Sequence, residues 1–371
     1  MSGHHRVRTI VGNTLLVAGS LATFFLGLEA FLRISELRLH AAQYTPPLPQ
    51  KRFAEVPREL LARAAARKAF LTIPEEWKRR EVSIPGSVSS YYWQGVLHIH
   101  NADMMRHLGP FPPRRPGVFR IAIVGDSLTY GYGIDESDTF THLLDDWLSE
   151  GGRVEALNLG VPGAQSEDIV KVIEKSLPEL KPDLFVYAVC ENDYLPSGVA
   201  QYSSYYAVPL PDSVKDFLIS HSMAVEFTSD LYDAALRRLH LRADFFDDIL
   251  ADFNGYQQGF DNNLIRMSTA VEKAGLPPII GVVLDQYPTY GGTGYQIARV
   301  AERAMRRAGF DVIETESYYR NYNNTAFDVS RWEGHPNEVA HYIWAKMLAE
   351  HLRQHIESPR LVDRPAVVDR P

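Results

Sequence analysis

The chain has 371 residues, a formal net charge of -8 at pH 7 and 45% apolar residues, which is an ordinary composition for a globular protein with a sizeable core. The excess of acidic residues argues against nucleic acid as a partner, because a nucleic-acid surface favours clustered lysine and arginine. Cys190 is the single cysteine, which excludes an intramolecular disulfide and any multi-cysteine zinc site.

The amino-terminal segment predicts a helix that spans a membrane. Residues 10–28 carry one strongly polar side chain, that of Asn13, and as a helix they would extend about 28 Å, close to the hydrocarbon thickness of roughly 30 Å. A cleaved signal peptide is the alternative, but its apolar region would have only about 7–15 residues. We therefore predict an amino-terminal tail over residues 1–8 and an uncleaved transmembrane anchor over residues 9–33.

The orientation of this anchor follows from the shortness of its tail. Arg6 and Arg8 precede the span and Arg33 and Arg38 follow it, so the positive-inside rule is close to a tie. A tail of a few residues favours an amino terminus that stays in the cytoplasm. We therefore expect a single-pass protein of the cytoplasmic (inner) membrane with its body on the extracytoplasmic, or periplasmic, side.

Strand-like and helix-like segments alternate from residue 119 onward. The strand-like segments cover residues 119–124, 154–159, 184–189, 279–284 and 311–313, and the helix-like segments cover residues 140–148, 167–180, 261–274, 296–308 and 337–356. Five strands joined by helical crossovers predict an α/β protein with an open parallel sheet and helices on both faces.

The remaining segments complete the predicted domain organisation. Residues 34–116 are predicted to be a connecting or cap region, with a helix over 57–71 and a strand over 91–100. Residues 117–357 form the predicted catalytic domain, which carries an insertion over about 197–255. The proline-rich residues 358–371 are predicted to be a disordered tail.

The segment 119–133 reads FRIAIVGDSLTYGYG and contains the first candidate catalytic residue. Its apolar run, Ile121 to Val124, is typical of a central strand that is buried on both faces. Ser127 follows this strand directly, at the edge of the sheet where α/β folds bind their ligands. Ser127 is therefore a candidate nucleophile, and the alternative is that Asp126 and Ser127 only cap the next helix.

Three later segments place polar groups at matching positions. Gly163 follows the second strand and could point a backbone N–H at a substrate. Asn192 follows the third strand, where its amide is a neutral donor for an oxyanion. His335 precedes the last helix and could take a serine proton near neutral pH. A simple turn, an Asx turn and a loop histidine are the respective structural alternatives.

Together these residues resemble the SGNH, or GDSL, hydrolase family over roughly residues 119–356. The matching blocks are Gly125-Asp126-Ser127-Leu128, Asn158 with Gly163, Asn192-Asp193 and His335-Pro336-Asn337. The resemblance implies a three-layer α/β/α sandwich around a five-stranded parallel sheet, which is a flavodoxin-like arrangement. It also implies Ser127 as nucleophile and His335 as base, with an oxyanion hole formed by the N–H groups of Ser127 and Gly163 and the side chain of Asn192. No metal or organic cofactor is expected.

The chain departs from the family pattern at the acid of the triad. The family has aspartate three residues before the histidine, and Trp332 occupies that position here. Glu333 and Asp328 are the candidate acids, and a Ser–His dyad oriented by a backbone carbonyl is the third possibility. Cys190 also replaces the usual glycine of the third block, although that glycine is not a catalytic donor in the family.

These features predict a serine hydrolase that acts on acyl esters outside the cytoplasm. The ester could belong to a lipid or to an acetylated glycan, and the membrane is a partner through the amino-terminal helix. Two alternatives stay open. An O-acyltransferase would use the same site to modify an envelope polysaccharide, and a catalytically impaired envelope protein would have kept the fold after losing the acid.

Overall fold

A computed structural model describes residues 3–43, 56–69, 73–149, 153–197, 210–238, 253–284, 293–313, 327–330 and 333–356. The chain divides into two compact units. The first contains Met1–Pro46, Lys68–Ile73 and Ser204–Ala243, and the second contains Pro47–Arg67, Pro74–Ser203 and Asp244–Pro371. The predicted disordered tail, residues 358–371, and residues 198–209 and 239–252 of the predicted insertion lie outside the described residues.

The secondary structure alternates between helices and strands along most of the chain. The helices are α1 (Gly3–Gln43), α2 (Arg58–Lys68), α3 (Ser127–Tyr130), α4 (Phe140–Leu148), α5 (Ser166–Leu180), α6 (Asp212–His221), α7 (Met223–Arg238), α8 (Phe253–Lys273), α9 (Thr293–Arg307) and α10 (Glu338–Ile356). The strands are β1 (Arg80–Glu81), β2 (Ser89–Trp93), β3 (Val96–His100), β4 (Phe119–Gly125), β5 (Val154–Gly160), β6 (Leu184–Val189), β7 (Ile280–Val283), β8 (Asp311–Ile313), β9 (Asp328–Ser330) and β10 (Glu333–Pro336).

A five-stranded parallel sheet forms the centre of the second unit. Its strand order is β5-β4-β6-β7-β8, so the first strand of the sheet in sequence, β4, lies between the second and the third. Gly125 at the end of β4 pairs with Gly160 of β5 and Ala188 of β6. This topology confirms the predicted parallel sheet and its five strands.

Apolar side chains on the two faces of the sheet form two separate cores. Along β4, Ile121 and Ile123 belong to a core that also contains residues of α4 and α10. Ala122 and Val124 point the other way and join a core with residues of α5, α8 and α9. All four residues are fully buried. Helices cover both faces, which gives the predicted α/β/α sandwich.

A small antiparallel sheet precedes the parallel one and corrects one prediction. The single strand expected over residues 91–100 is wrong, because β2 and β3 form a hairpin joined at Gln94 and Gly95. These two turn residues have φ angles of 53° and 77°, a conformation that suits the twist of a two-residue hairpin. The turn pair Gln94-Gly95 is not one of the pairs, such as Asn-Gly or Asp-Gly, that mark a two-residue hairpin in a sequence.

Arg106 attaches this part of the chain to the segment that follows Ser127. Its buried guanidinium donates to the carbonyl oxygens of Gly131 at 2.6 Å and Ile134 at 2.7 Å, and to that of Leu97 at 3.3 Å. These bonds join the hairpin to residues 131–134. Residues 74–116 of the region predicted as a connector thus belong to the same compact unit as the parallel sheet.

The first unit contains the long amino-terminal helix and the helix pair α6–α7. Within residues Gly12–Ile34 of α1, the most apolar window of 18 residues has a mean hydropathy of 1.9, and no residue of that window is buried within the protein. The helix begins and ends beyond the predicted anchor, at Gly3 and Gln43. By length and composition this segment is able to cross a membrane.

Candidate active site

Ser127 is the first residue of α3, immediately after the central strand. The carboxylate of Asp126 caps this helix by accepting a hydrogen bond of 2.9 Å from the backbone N–H of Leu128, as one of the two sequence interpretations predicted. The hydroxyl of Ser127 is directed elsewhere, because its Oγ lies 2.9 Å from Nε2 of His335. Asp126 therefore caps the helix, and the hydroxyl of Ser127 contacts the imidazole of His335.

Two glycines allow α3 to pack directly against the ends of the strands. A Cβ atom at Gly125 would overlap the side chain of Thr129, and one at Gly160 would overlap the backbone nitrogen of Tyr130. The side chain of Asn158 bridges the same elements, since its Nδ2 donates to the Thr129 carbonyl at 3.0 Å. Asn158 thus holds the helix that carries Ser127.

His335 and Glu333 lie together on a short strand, β10, where a loop was expected. Nδ1 of His335 lies 2.5 Å from Oε1 of Glu333, which also accepts from the backbone N–H of His335 at 3.2 Å. Because Nδ1 faces a carboxylate, it carries the proton in the neutral imidazole, and Nε2 is left as an acceptor for the serine hydroxyl. Serine, histidine and glutamate therefore form a continuous chain of hydrogen bonds.

Trp93 completes the surroundings of Glu333. Its indole N–H donates to Oε2 of Glu333 at 2.9 Å, so each carboxylate oxygen has a partner. Trp93 ends β2 in the small hairpin, and nothing in its local sequence indicates a role at the site. A tryptophan before a tight turn is a weak signal, and sequence reasoning missed it.

The other candidate acid, Asp328, lies on β9, which pairs with β10. Its backbone carbonyl accepts a hydrogen bond of 3.1 Å from Nδ2 of Asn337, and Oδ1 of Asn337 accepts from the N–H of Val339 at 3.0 Å. Asn337 therefore caps α10 and anchors β9 with one side chain. The structure brings Glu333 to Nδ1 of His335.

The pKa values of His335 and Glu333 are shifted in opposite directions. Burial lowers the pKa of His335, but the hydrogen bond and charge of Glu333, with a smaller contribution from Asp126, raise it by more, so its pKa lies above 6.5. Burial raises the pKa of Glu333, and its bonds to His335 and Trp93 outweigh this and leave its pKa below 4.5. The pair therefore favours an ionised carboxylate beside a readily protonated imidazole.

The candidate oxyanion donors follow three adjacent strands. Ser127 follows β4, Gly163 follows β5 and Asn192 follows β6. Among the described residues, the N–H groups of Ser127 and Gly163 have no hydrogen-bond acceptor. Gly163 has a φ of 78°, a conformation that favours glycine. These donors are therefore available at the same edge of the sheet as the serine hydroxyl.

The loop that carries Asn192 is held by its neighbour. The carboxylate of Asp193 accepts from the Tyr187 hydroxyl at 2.8 Å and from the backbone N–H of Cys190 at 3.1 Å. Asn192 is buried, and within the described residues its Oδ1 has no hydrogen-bond partner. Asp193 thus holds the loop through its Oδ2 atom, whereas the side-chain oxygen of its neighbour Asn192 forms no hydrogen bond within the described residues.

Sequence comparison identifies the family to which these blocks correspond. The model of the GDSL-like lipase/acylhydrolase family matches residues 123–343, which is more than half of the chain and contains every residue of the site except Trp93. No curated protein matches the chain.

Solved structures with a similar fold include TesA, at 16% identity and a TM-score of 0.40 over 63% of this chain and 98% of TesA. A lipase/acylhydrolase from Enterococcus faecalis is 18% identical, with a TM-score of 0.40 over 64% of this chain and 97% of that one. Axe2, an acetylxylan esterase from Geobacillus stearothermophilus, is 14% identical in a catalytic mutant, with a TM-score of 0.40 over 65% and 96%. Similarity at this level says nothing about the substrate of this chain.

Proposed function

The chain belongs to the GDSL-like lipase/acylhydrolase family, and from this premise we propose that it hydrolyses acyl esters with Ser127 as nucleophile and His335 as general base. The observation that carries the proposal is the distance of 2.9 Å between Oγ of Ser127 and Nε2 of His335. A hydroxyl activated by an adjacent base, itself oriented by a third group, is the arrangement that nucleophilic catalysis needs.

The reaction would proceed through an acyl-enzyme. As Oγ of Ser127 attacks the ester carbonyl, Nε2 of His335 takes its proton and then returns it to the departing alcohol oxygen. A water molecule, deprotonated by the same nitrogen, attacks the acyl-enzyme, and Nε2 returns the proton to Oγ of Ser127 as the bond to the acyl group breaks and the carboxylic acid is released. Glu333 stays ionised and stabilises the imidazolium that forms in each step.

The tetrahedral intermediates would place their negative oxygen among three donors. These are the N–H groups of Ser127 and Gly163 and the side-chain amide of Asn192. Preorganised neutral donors at this position stabilise the developing charge without an ion pair that must first be broken. The unpaired N–H groups described above support this assignment.

Glu333 is our proposed acid in place of Asp328 or a Ser–His dyad. Its contact of 2.5 Å with Nδ1 of His335 supports the assignment, and its second oxygen is occupied by Trp93. A carboxylate in this position also argues against the alternative of an envelope protein that has lost its acid. We propose Trp93 as a positioning residue that holds Glu333 in place.

Transfer to a second alcohol would use the same acyl-enzyme. If a glycan hydroxyl entered in place of water, the product would be an acylated envelope polysaccharide. Hydrolysis is our proposal because it requires nothing beyond the described site. Adding an excess of a glycan acceptor would distinguish the two, because a transferase would form acylated glycan faster than free acid.

We also propose that α1 anchors the enzyme in the cytoplasmic membrane with the catalytic unit on the extracytoplasmic side. An apolar span in which no residue is buried within the protein needs another apolar environment, and lipid supplies it. Glu29, near the end of the span, accepts hydrogen bonds of 2.8 Å from the Ser222 hydroxyl and from the Ala224 N–H. A helix attached to the folded chain in this way is retained more readily than a signal peptide.

The proposed function is tested with full-length protein in detergent, using a fluorophosphonate probe and acyl esters of different chain lengths. Ser127→Ala should abolish labelling and lower turnover by roughly 10³-fold or more. Ser149→Ala is the matched control, because its hydroxyl binds the Val154 carbonyl at the opposite end of β5. A Ser127→Ala protein that kept its label and turnover would overturn the proposal.

Intact mass in membrane fractions tests the anchor, since cleavage would shorten the chain.

A further inference from the structure

Two histidines and an aspartate lie close together near the amino end of strand β8, whereas the candidate active site lies at the carboxyl ends of the strands. His351 and His355 are four residues apart on α10, so their side chains lie on one face of the helix. Nε2 of His351 is 2.9 Å from Oδ2 of Asp311, and Nε2 of His355 is 3.1 Å from the same oxygen. The three ligand atoms all lie within 4.8 Å of one another.

We propose that Asp311, His351 and His355 form a binding site for a divalent transition-metal ion, with zinc as the expected occupant. Two imidazole nitrogens and a carboxylate oxygen are a donor set that suits zinc. Each ring directs its Nε2 atom at Oδ2 of Asp311, although the carboxylate has a second oxygen that one of them could use. Three ligand atoms that point toward one another in this way can surround a single metal ion.

The distances leave room for an ion after a small adjustment. Ligand atoms in a tetrahedral zinc site are roughly 3.3–3.5 Å apart, as follows from metal–ligand distances of about 2.0–2.2 Å. The two distances between an imidazole nitrogen and Oδ2 of Asp311, 2.9 and 3.1 Å, therefore need to widen by only a few tenths of an ångström. All three side chains are partly exposed, so an ion can enter and water can supply the remaining ligand.

The position of this site indicates a structural role. Asp311 is the first residue of β8, whereas the candidate active site lies beyond the carboxyl ends of the parallel strands. Helix α10 has 19 residues, so about 28 Å separates its start, which follows His335, from its end. An ion here would tie the last turns of α10 to the edge strand of the sheet and would take no part in acyl transfer.

Zinc binding is measured with the untagged full-length protein in detergent, by competition with a chromophoric chelator. All measurements use a parent protein that carries His4→Ala and His5→Ala, so that the histidines of the amino-terminal tail cannot bind zinc. We expect one zinc ion per chain and a higher midpoint of thermal unfolding when zinc is added. His351→Ala, His355→Ala and Asp311→Asn should each weaken binding at least tenfold.

Two further variants separate a metal site from a simple hydrogen-bonded cluster. His351→Gln keeps a donor for Asp311 but is a poor zinc ligand, so it should lose zinc binding while keeping the unfolding midpoint of the metal-free protein. His142→Ala is the matched control, because His142 lies 3.7 Å from Asp146 at the same helical spacing on an exposed surface. Zinc binding that is absent, or that survives His351→Ala with His355→Ala, would overturn the proposal.

Discussion

The indole N–H of Trp93 donates a hydrogen bond of 2.9 Å to Oε2 of Glu333, across a separation of 240 residues in the sequence. The other oxygen of Glu333 contacts Nδ1 of His335. With both oxygens engaged, the carboxylate is fixed in one orientation beside the imidazole. The small hairpin β2–β3 thus contributes directly to the surroundings of the proposed acid, although it lies outside the segment that the family model matches.

The first prediction concerns Trp93. Trp93→Phe keeps an aromatic ring in the hairpin but removes the N–H that binds Glu333. A hydrogen bond to a charged group contributes about 1.5 kcal/mol, so we expect kcat for ester hydrolysis to fall about tenfold. KM should change little, because Trp93 acts on the orientation of the acid.

Trp147→Phe is the matched control for this experiment. Trp147 packs edge-to-face against Tyr342, with ring centroids 5.2 Å apart, and has no contact with Glu333. The Trp147→Phe variant should therefore leave kcat unchanged. If Trp93→Phe also left kcat unchanged, the indole would have no positioning role.

The second prediction distinguishes the candidate acids. Glu333→Gln removes the charge that stabilises the imidazolium of His335, and we expect kcat to fall roughly 10²- to 10⁴-fold. Asp328→Asn should reduce kcat less than threefold, since the backbone carbonyl that binds Asn337 is retained. The opposite ranking would assign the acid to Asp328, and two near-neutral variants would favour the Ser–His dyad.

The third prediction concerns the pH dependence of activity. His335 must be neutral to accept the serine proton, and Glu333 raises its pKa above 6.5. We therefore expect kcat/KM to rise with pH through an apparent pKa above 6.5. In Glu333→Gln, burial lowers the pKa of His335 without opposition from that carboxylate, so the rise should move to lower pH. An unchanged profile in the variant would contradict the assignment.

The same pair makes a prediction for stability. The contribution from the raised pKa of His335 is fully present below pH 6.5 and is lost as the pH rises through its folded-state pKa. The contribution from the lowered pKa of Glu333 is present above pH 4.5 and is lost as the pH falls through its folded-state pKa. The difference in unfolding midpoint between wild type and Glu333→Gln should therefore be largest between about pH 4.5 and 6.5.

The fifth prediction concerns the packing of α3 on the sheet. Gly160→Ala places a methyl group against the backbone nitrogen of Tyr130, and backbone yields less readily than a side chain. We expect the free energy of unfolding to fall by about 3 kcal/mol, as measured by chemical denaturation. Gly259→Ala is the control, because the added carbon would have no atom within 4 Å apart from its chain neighbours and the backbone of its own helix. That variant should be neutral or slightly stabilised, since alanine favours a helix.

The fold could be predicted from the sequence because its signals are local. The three central strands, β4, β6 and β7, each contain a short apolar run, and α4 coincides with its predicted range, residues 140–148. The hairpin over residues 89–100 was missed in part because its turn pair, Gln94-Gly95, is not one of the usual signals of a two-residue hairpin, such as Asn-Gly. Strands β9 and β10 escaped prediction because they are short and their sequences, DVS and EGHP, contain no run of apolar residues.

The sequence by itself determined the family, the sheet, the apolar span and the identities of Ser127 and His335 as candidates, since each depends on residues adjacent in the chain. Tertiary structure alone decided which carboxylate faces His335, which side chain holds that carboxylate, and where Asp311 meets His351 and His355. The physical reason is that a hydrogen bond or a metal ligand set requires atoms within about 3 Å of one another. Residues far apart in sequence satisfy that requirement only after the strands and helices have packed.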